Sequence, residues 1–131
     1  MAVGRDLNLG PIYRPNILEF SDKSIGKEIL KFSKSDLEIT LITTPGHTGS
    51  SCSLIIKGEN VTFKSDLEQK VTSVALVGDV WDFHGDEEVW KEMAEDIDTN
   101  IKSRNFISIE INPDIIVPGH GPPFSRPYKK S

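Results

Sequence analysis

The sequence predicts an α/β (α+β) domain in which short strands come first and a strand–helix–strand unit follows. Three observations indicate this class. Short runs that alternate apolar and polar residues, or are wholly apolar, predict strands. Glycine or proline closes most of these runs. One longer segment between two of the runs has apolar residues at helical spacing. The 131 residues suffice for one domain with a modest core.

The first half of the chain predicts an irregular lead-in followed by strands. Residues 1–36 contain several glycine and proline breakers, so we expect no regular element there. Residues 37–42 alternate apolar and polar side chains and predict a strand, and residues 53–56 predict a second one. Residues 57–60 have the composition of a tight turn, so residues 61–63 are expected to return as the other arm of a β-hairpin.

The second half predicts a strand, a helix and another strand. Residues 74–77 are wholly apolar, typical of a strand buried on both faces, and we expect it to end at Gly78. Asp86 can cap a helix that runs to about Arg104. Its predicted apolar stripe consists of Val89, Trp90, Met93, Ile97 and Ile101. Residues 115–117 predict a last buried strand before Pro118, and residues 125–131 form a basic tail.

Charge and composition restrict the classes of function. The net charge of −5 argues against broad, non-specific binding of nucleic-acid phosphates, although metal cations could supply positive charge locally. The one cysteine excludes an internal disulfide and allows a reducing compartment. No apolar run reaches the length of a membrane span, and the first residues do not resemble a secretory signal. We therefore expect a cytoplasmic protein, with the nucleus as the alternative.

Three metal-ligand residue types follow three of the predicted strands. His47, Asp79 and His120 each come directly after a glycine at a strand end. Ligands of α/β folds bind outside the carboxyl ends of strands, and glycine lets the backbone approach a ligand closely. Each residue taken singly has a simpler interpretation, as a hydrogen-bonding histidine or a turn-forming aspartate. Together, in matching contexts, two imidazoles and a carboxylate predict a metal site.

Other residues near these strand ends have weaker claims. Trp81 and Phe83 come soon after Asp79 and could line a substrate pocket, although both are more simply explained as core or rim aromatics. His84 lacks the glycine context and is expected to be structural or exposed. Cys52 is expected to be a small buried side chain rather than a nucleophile.

These motifs resemble a known family. Residues 44–48, 78–79 and 118–121 are similar, in order and spacing, to the later motifs of the metallo-β-lactamase fold superfamily, and the resemblance extends over residues 37–124. Residues 77–81, 85–90 and 117–124 resemble more closely the branch of this superfamily that is akin to glyoxalase II.

The resemblance implies a two-metal hydrolase. His47 would ligate the first metal, His120 the second, and Asp79 would bridge both. Zinc is the expected metal, with iron or manganese as alternatives. The resemblance favours RNA phosphodiester as the substrate, in an endoribonuclease of the histone pre-mRNA 3′-end processing type. A thioester, as in glyoxalase II, is the next candidate.

The family's first motif, His-x-His-x-Asp-His, is absent, because the only histidines are His47, His84 and His120. We therefore expect the N-terminal half of the αββα sandwich to be missing, and 1–131 to be a partial domain that does not catalyse the reaction alone. A missing sheet would expose an apolar face, for which the expected residues are Ile39, Leu41, Leu54 and Ile56. The alternative to an enzyme is a non-catalytic module that forms a homodimer or binds a partner.

Overall fold

A computed structural model describes residues 24–64, 68–82 and 89–126. These residues form a six-stranded sheet, in which the strands lie in chain order, and a helical segment. The strands are β1 (Glu28–Lys34), β2 (Leu37–Thr43), β3 (Cys52–Phe63), β4 (Gln69–Asp82), β5 (Ile115–His120) and β6 (Phe124–Ser125). The helical segment comprises α1 (Val89–Met93), α2 (Ile97–Asn105) and a π-helix (Phe106–Ile111). No helix within the described ranges is long and apolar enough to cross a bilayer.

The sheet is mixed. Neighbouring strands pair antiparallel except β4 and β5, which pair parallel. A parallel pair needs a long crossover, and α1, α2 and the π-helix supply it. The predicted order of strands followed by a strand–helix–strand unit is therefore confirmed. The αββα sandwich and the missing half stay predictions.

One face of the sheet forms the core with the helical segment. The strand registers place Ile55 of β3 beside Ala75 of β4, and Ala75 beside Ile116 of β5. All three are buried and pack in one cluster with Ile107 of the π-helix. Fully burying an aliphatic side chain of this size stabilises the fold by about 1.5–3 kcal/mol. The helical segment is therefore held on the sheet by apolar packing.

The opposite face is partly open among the described residues. Leu30 and Phe32 of β1 are 54% and 51% exposed. Their register partners on β2, Leu41 and Ile39, are half-buried, and so are Leu54 and Ile56 of β3. The expectation that these four would be exposed is wrong, because neighbouring strands shield each of them from both sides. On this face, the most exposed apolar side chains lie instead on the edge strand β1.

The predicted hairpin at residues 57–60 is wrong. β3 continues through these residues, and the irregularity appears as a shift of the β3–β4 register between Lys57 and Val61. Gly58 remains paired with Leu37 of β2. Pairing with β2 reaches Gly58 and pairing with β4 resumes at Val61, so the flanking ladders keep the strand continuous and the residues between them form a bulge.

Two strand boundaries also differ from expectation. β4 does not end at Gly78 but runs to Asp82, because Gly78 adopts a φ of +56° that accommodates a register shift within the strand. Residues 28–34, expected to be irregular, form β1, an edge strand of alternating character. The rest of the predicted lead-in, residues 1–23, lies outside the described residues, as does the tail from residue 127.

The single predicted helix is interrupted. α1 ends at Met93, and α2 begins after Asp96, whose side chain accepts a hydrogen bond from the Thr99 amide at 3.1 Å. Met93 and Ile97 were expected in a buried apolar stripe, but they are 61% and 41% exposed. Asp86, the predicted cap, lies outside the described residues. The interruption arises because the backbone amides of residues 95 and 96 bond to the loop that follows β2.

Asp114 joins the start of β5 to β4. Its carboxylate accepts hydrogen bonds from the Thr72 amide at 2.7 Å, the Thr72 hydroxyl at 3.0 Å and the Ser73 amide at 3.2 Å, and it pairs with Arg126. Burial raises the pKa of Asp114, but these hydrogen bonds and the Arg126 charge outweigh burial and hold the pKa below its ordinary value.

We expect Asp114→Asn to destabilise the fold at pH 7 by about 1–2 kcal/mol, because an amide accepts fewer hydrogen bonds and loses the ion pair. Since the folded pKa is lowered, this stability is present above the ordinary carboxyl pKa of about 4 and is lost as pH falls through the folded value. Urea unfolding between pH 7 and pH 3 should therefore show the two proteins converging in acid. The exposed Asp36→Asn serves as control, and a gap that stays constant with pH would contradict this account.

Candidate metal centre

The structure brings His47, Asp79 and His120 together around one carboxylate. Nε2 of His47 lies 3.3 Å from Oδ2 of Asp79, and Nδ1 of His120 lies 3.3 Å from Oδ1. Each carboxylate oxygen therefore faces a different imidazole. The exposure of the three side chains rises from 21% for His47 through 35% for Asp79 to 66% for His120. The group lies at the carboxyl end of the parallel pair β4 and β5.

His47 is positioned by a tightly bonded loop after β2. The Thr44 amide donates to the Ser51 carbonyl at 2.9 Å, and the Gly46 amide donates to the Thr48 carbonyl, also at 2.9 Å. The buried hydroxyls of Thr44 and Ser53 are 2.7 Å apart. Gly46 has a φ of +143°, a backbone conformation that favours glycine. The loop thus reverses the chain directly before His47.

Asp79 is held against β5. A Cβ atom on Gly119 would lie 2.3 Å from Oδ1 of Asp79 and 2.9 Å from the carbonyl carbon of Gly78. Real side chains do not approach so closely, so only glycine lets β5 pass beside this carboxylate. The same β4–β5 pairing sets Asp82 beside His120. The predicted role of glycine before each candidate ligand therefore has a steric basis at Gly46 and at Gly119.

The two nitrogen–oxygen distances fit metal coordination better than hydrogen bonding. Charge-assisted hydrogen bonds between nitrogen and carboxylate oxygen are about 2.7–2.9 Å long. Two ligand atoms that lie about 2.0–2.1 Å from one zinc ion at the tetrahedral angle are about 3.3–3.4 Å apart. Both observed distances of 3.3 Å match this coordination edge. The carboxylate could therefore share one metal with each histidine.

The number of donors is smaller than a complete site needs. Each ion would have one imidazole and one carboxylate oxygen, whereas catalytic zinc has three protein ligands. Within residues 24–64, 68–82 and 89–126, no group of three His, Cys, Asp or Glu residues could hold a single ion. The residues present thus fit part of a two-metal site, and the ligand roles of His47, Asp79 and His120 stay predictions.

The remaining candidates lie elsewhere. Trp81 is 1% exposed, stacks edge-on with Phe124 at 6.2 Å and has the Arg104 guanidinium 5.2 Å from its ring centroid. The prediction that it lines a substrate pocket gains no support from this position. Phe83 and His84 lie outside the described residues. Cys52 is exposed at the start of β3, contrary to the expectation of burial, and partial desolvation raises the pKa of its thiol, which opposes a nucleophilic role.

Two residues of α2 contact the segments that carry the candidate ligands, and the sequence does not predict them. Ser103 and Arg104 are buried on α2 and donate hydrogen bonds to backbone carbonyls next to two of the candidate ligands. Nothing in the sequence distinguishes them from ordinary polar residues near the end of a helix. Only the packing of α2 against the sheet reveals their position.

The sequence was compared with those of known proteins, and the matches indicate a superfamily. No family model matches the sequence. Over 86 residues, 66% of the chain, it is 35% identical to metallo-beta-lactamase domain-containing protein 1 of Xenopus laevis. Over 82 residues, 62% of the chain, it is 34% identical to the protein of the same name from Homo sapiens. These matches support the metallo-β-lactamase superfamily for this chain.

This result confirms the resemblance inferred from the strand-end motifs. The matched stretches cover 32% of the Xenopus laevis protein and 26% of the Homo sapiens protein, so the chain spans about a third of the length of the curated relatives it matches.

We expect Gly119→Ala to displace the Asp79 carboxylate, because the added methyl group would lie 2.3 Å from Oδ1. Overpacking of this kind destabilises by about 1–3 kcal/mol. Gly78→Ala is the matched control: it has open space around the new Cβ and costs only the left-handed conformation, about 1 kcal/mol. Imidazole ¹⁵N shifts should move for His120 in Gly119→Ala and stay near wild type in Gly78→Ala. Equal shifts in both variants would contradict the steric argument.

Proposed function

We propose that this chain contributes His47, Asp79 and His120 to the active site of a metal-dependent hydrolase that cleaves RNA phosphodiester bonds. The observation that carries the proposal is the single carboxylate whose two oxygens each lie 3.3 Å from a different imidazole nitrogen. Membership of the metallo-β-lactamase superfamily supports a hydrolase with bound metal. Zinc is the favoured metal, and iron or manganese are alternatives.

Each of the three residues would have a separate role in metal binding. Asp79 would hold two ions, one through each oxygen, while His47 and His120 each supply a neutral nitrogen to one of them. A bound metal pair lowers the pKa of its water towards about 7 and stabilises developing charge on oxygen. His47 is the most shielded of the three donors, and His120 is the most exposed. Gly119 leaves room for the carboxylate between them.

RNA is favoured over a thioester by the resemblance of residues 77–81 and 117–124 to the glyoxalase II-like branch that includes endoribonucleases. The net charge of −5 is consistent with this proposal only if positive charge is supplied locally. Metal ions at Asp79 would provide it where the scissile phosphate binds. A small ester or thioester would need less positive charge and is the competing substrate class.

We expect the 131-residue chain to bind zinc weakly, because two donors per ion are fewer than the usual three. Calorimetric titration at pH 7 should give a Kd in the micromolar range or weaker, and Asp79→Asn should reduce affinity by at least about tenfold because it serves both ions. His84→Gln, the one histidine outside the proposed site, is the control and should bind as wild type does. Two tightly bound zinc ions per chain would refute the donor count.

We expect the protein isolated from its natural source, through an antibody against the region around Asp79, to cleave an RNA oligonucleotide. Activity should be lost with chelator and restored by zinc or manganese. An Asp79→Asn substitution at the gene should lower the rate by at least about 100-fold, since both metals lose a ligand. Turnover of a thioester with no RNA cleavage would transfer the proposal to the competing substrate. No metal-dependent hydrolysis of either would overturn it.

The open sheet face favours a second candidate function, self-association. Leu30, Phe32, Leu37 and Leu76 share this face and are 37–54% exposed. Two sheets can pack face to face at about 10 Å, and a two-fold axis lets one patch serve both copies. The patch measures several hundred Å², on the order of half of what each partner contributes to a standard interface. A second copy of this chain would therefore bind weakly and in a concentration-dependent way.

We expect sedimentation equilibrium to show a monomer–dimer equilibrium that Phe32→Lys shifts towards monomer by roughly tenfold in Kd, since a buried charge opposes apolar packing. Ile109→Lys is the matched control, because Ile109 is 64% exposed on the π-helix, which packs on the other face. A monomer at all concentrations would remove this candidate. Equal effects of the two substitutions would place the interface elsewhere.

A further inference from the structure

We propose that α2 is the positioning element of the metal centre, and that Ser103, Arg104 and Glu95 set the spacing between His47 and Asp79. This inference rests on the proposed function, because the spacing matters only if His47 and Asp79 are ligands. None of the three residues is a candidate ligand. They act through backbone groups of the two segments that carry the ligands, and they are positioning residues in that sense.

The first contact joins α2 to the loop before His47. The Ser103 hydroxyl is buried and donates to the Pro45 carbonyl at 2.6 Å. A Cβ on Gly46 would lie 2.3 Å from the Asn100 Cα, so the loop backbone lies directly against the helix. The chain therefore reaches His47 from a segment that is fixed to α2 by a buried hydrogen bond and by close contact.

The second set of contacts holds the loop on its other side. The amides of Glu95 and Asp96 donate to the carbonyls of His47 and Gly46 at 3.1 and 3.0 Å. The Glu95 carboxylate accepts from the Gly49 amide at 2.9 Å. Glu95 and the N-cap residue Asp96 together thus bond to the loop backbone before and after the His47 side chain. The loop has little freedom to move without the helix.

The third contact joins the same helix to the strand that carries Asp79. Nε of Arg104 donates to the Val80 carbonyl at 2.7 Å, and the guanidinium stacks over Trp81. Arg104 is only 1% exposed, and the hydrogen bond from its Nε offsets part of the cost of burying its charge. Val80 and Trp81 directly follow Asp79. One helix therefore binds both segments whose ligands must lie 3.3 Å apart.

His120 is positioned differently. It is carried by β5, and its place beside β4 follows from the parallel ladder, in which Asp82 pairs with His120. Displacing α2 should therefore change the His47–Asp79 spacing more than the His120–Asp79 spacing. This asymmetry separates a positioning role from general destabilisation, which would disturb both. Catalytic constellations tolerate only about 0.5 Å of misplacement, so such a device matters for the site.

The test uses Glu95→Ala and Ser103→Ala, with Ser108→Ala as matched control. Glu95 is exposed, so its variant should fold even if Ser103→Ala does not. Ser108 donates to the Asn105 carbonyl within the helical segment, away from the loop. We expect amide hydrogen exchange at Gly49 to speed up roughly tenfold in Glu95→Ala, as expected for the loss of one hydrogen bond to a charged group. The control should leave this rate unchanged.

The second measurement follows imidazole ¹⁵N shifts without metal and zinc binding with it. We expect the His47 shifts to move in both variants while those of His120 stay near wild type, and zinc affinity to fall about tenfold. Equal movement of both histidines, or the same exchange rate at Gly49 as wild type, would overturn the positioning role. If the protein from its natural source shows no metal-dependent hydrolysis but the His47-selective shifts persist, the proposed function fails and the positioning role stands.

Discussion

The site depends on the parallel pairing of β4 and β5. Parallel strands run in one direction, so their carboxyl ends meet at the same edge of the sheet, and Asp79 and His120 come together there. The same pairing requires a crossover, and the crossover contains α2. Because α2 then packs back against β4, it also reaches the loop that carries His47. The parallel pairing of β4 and β5 therefore brings all three side chains together and places α2 against the segments that carry His47 and Asp79.

Close approach of backbones is the second condition for the site. β5 can pass beside the Asp79 carboxylate because position 119 has no Cβ, and the His47 loop can lie on α2 because position 46 has none. Gly78 contributes in another way, since nothing crowds it and only its φ of +56° favours glycine. The glycine before each candidate ligand thus has two distinct physical causes. Steric contact operates at Gly119, backbone conformation at Gly78, and both at Gly46.

The chain also combines a closed face with an open one. The face under the π-helix buries its apolar side chains, which accounts for the stability of the helical crossover. The other face leaves Leu30 and Phe32 more than half exposed on the edge strand. A site that lies at the strand ends is independent of which partner covers this face. The proposed hydrolase chemistry and the proposed self-association would therefore use separate surfaces.

The sequence by itself indicated the glycine contexts of His47, Asp79 and His120 and the resemblance to the superfamily, because short apolar runs, glycines and their order are local features. It placed the end of β4 at Gly78, whereas the strand continues through Asp79 to Asp82. It did not determine that residues 57–60 stay in a strand, since the ladders that flank them on β2 and β4 override a local turn preference. It also did not reveal the break before α2 or the buried places of Trp81 and Arg104. These depend on contacts between segments far apart in the chain, so only the tertiary structure decided them.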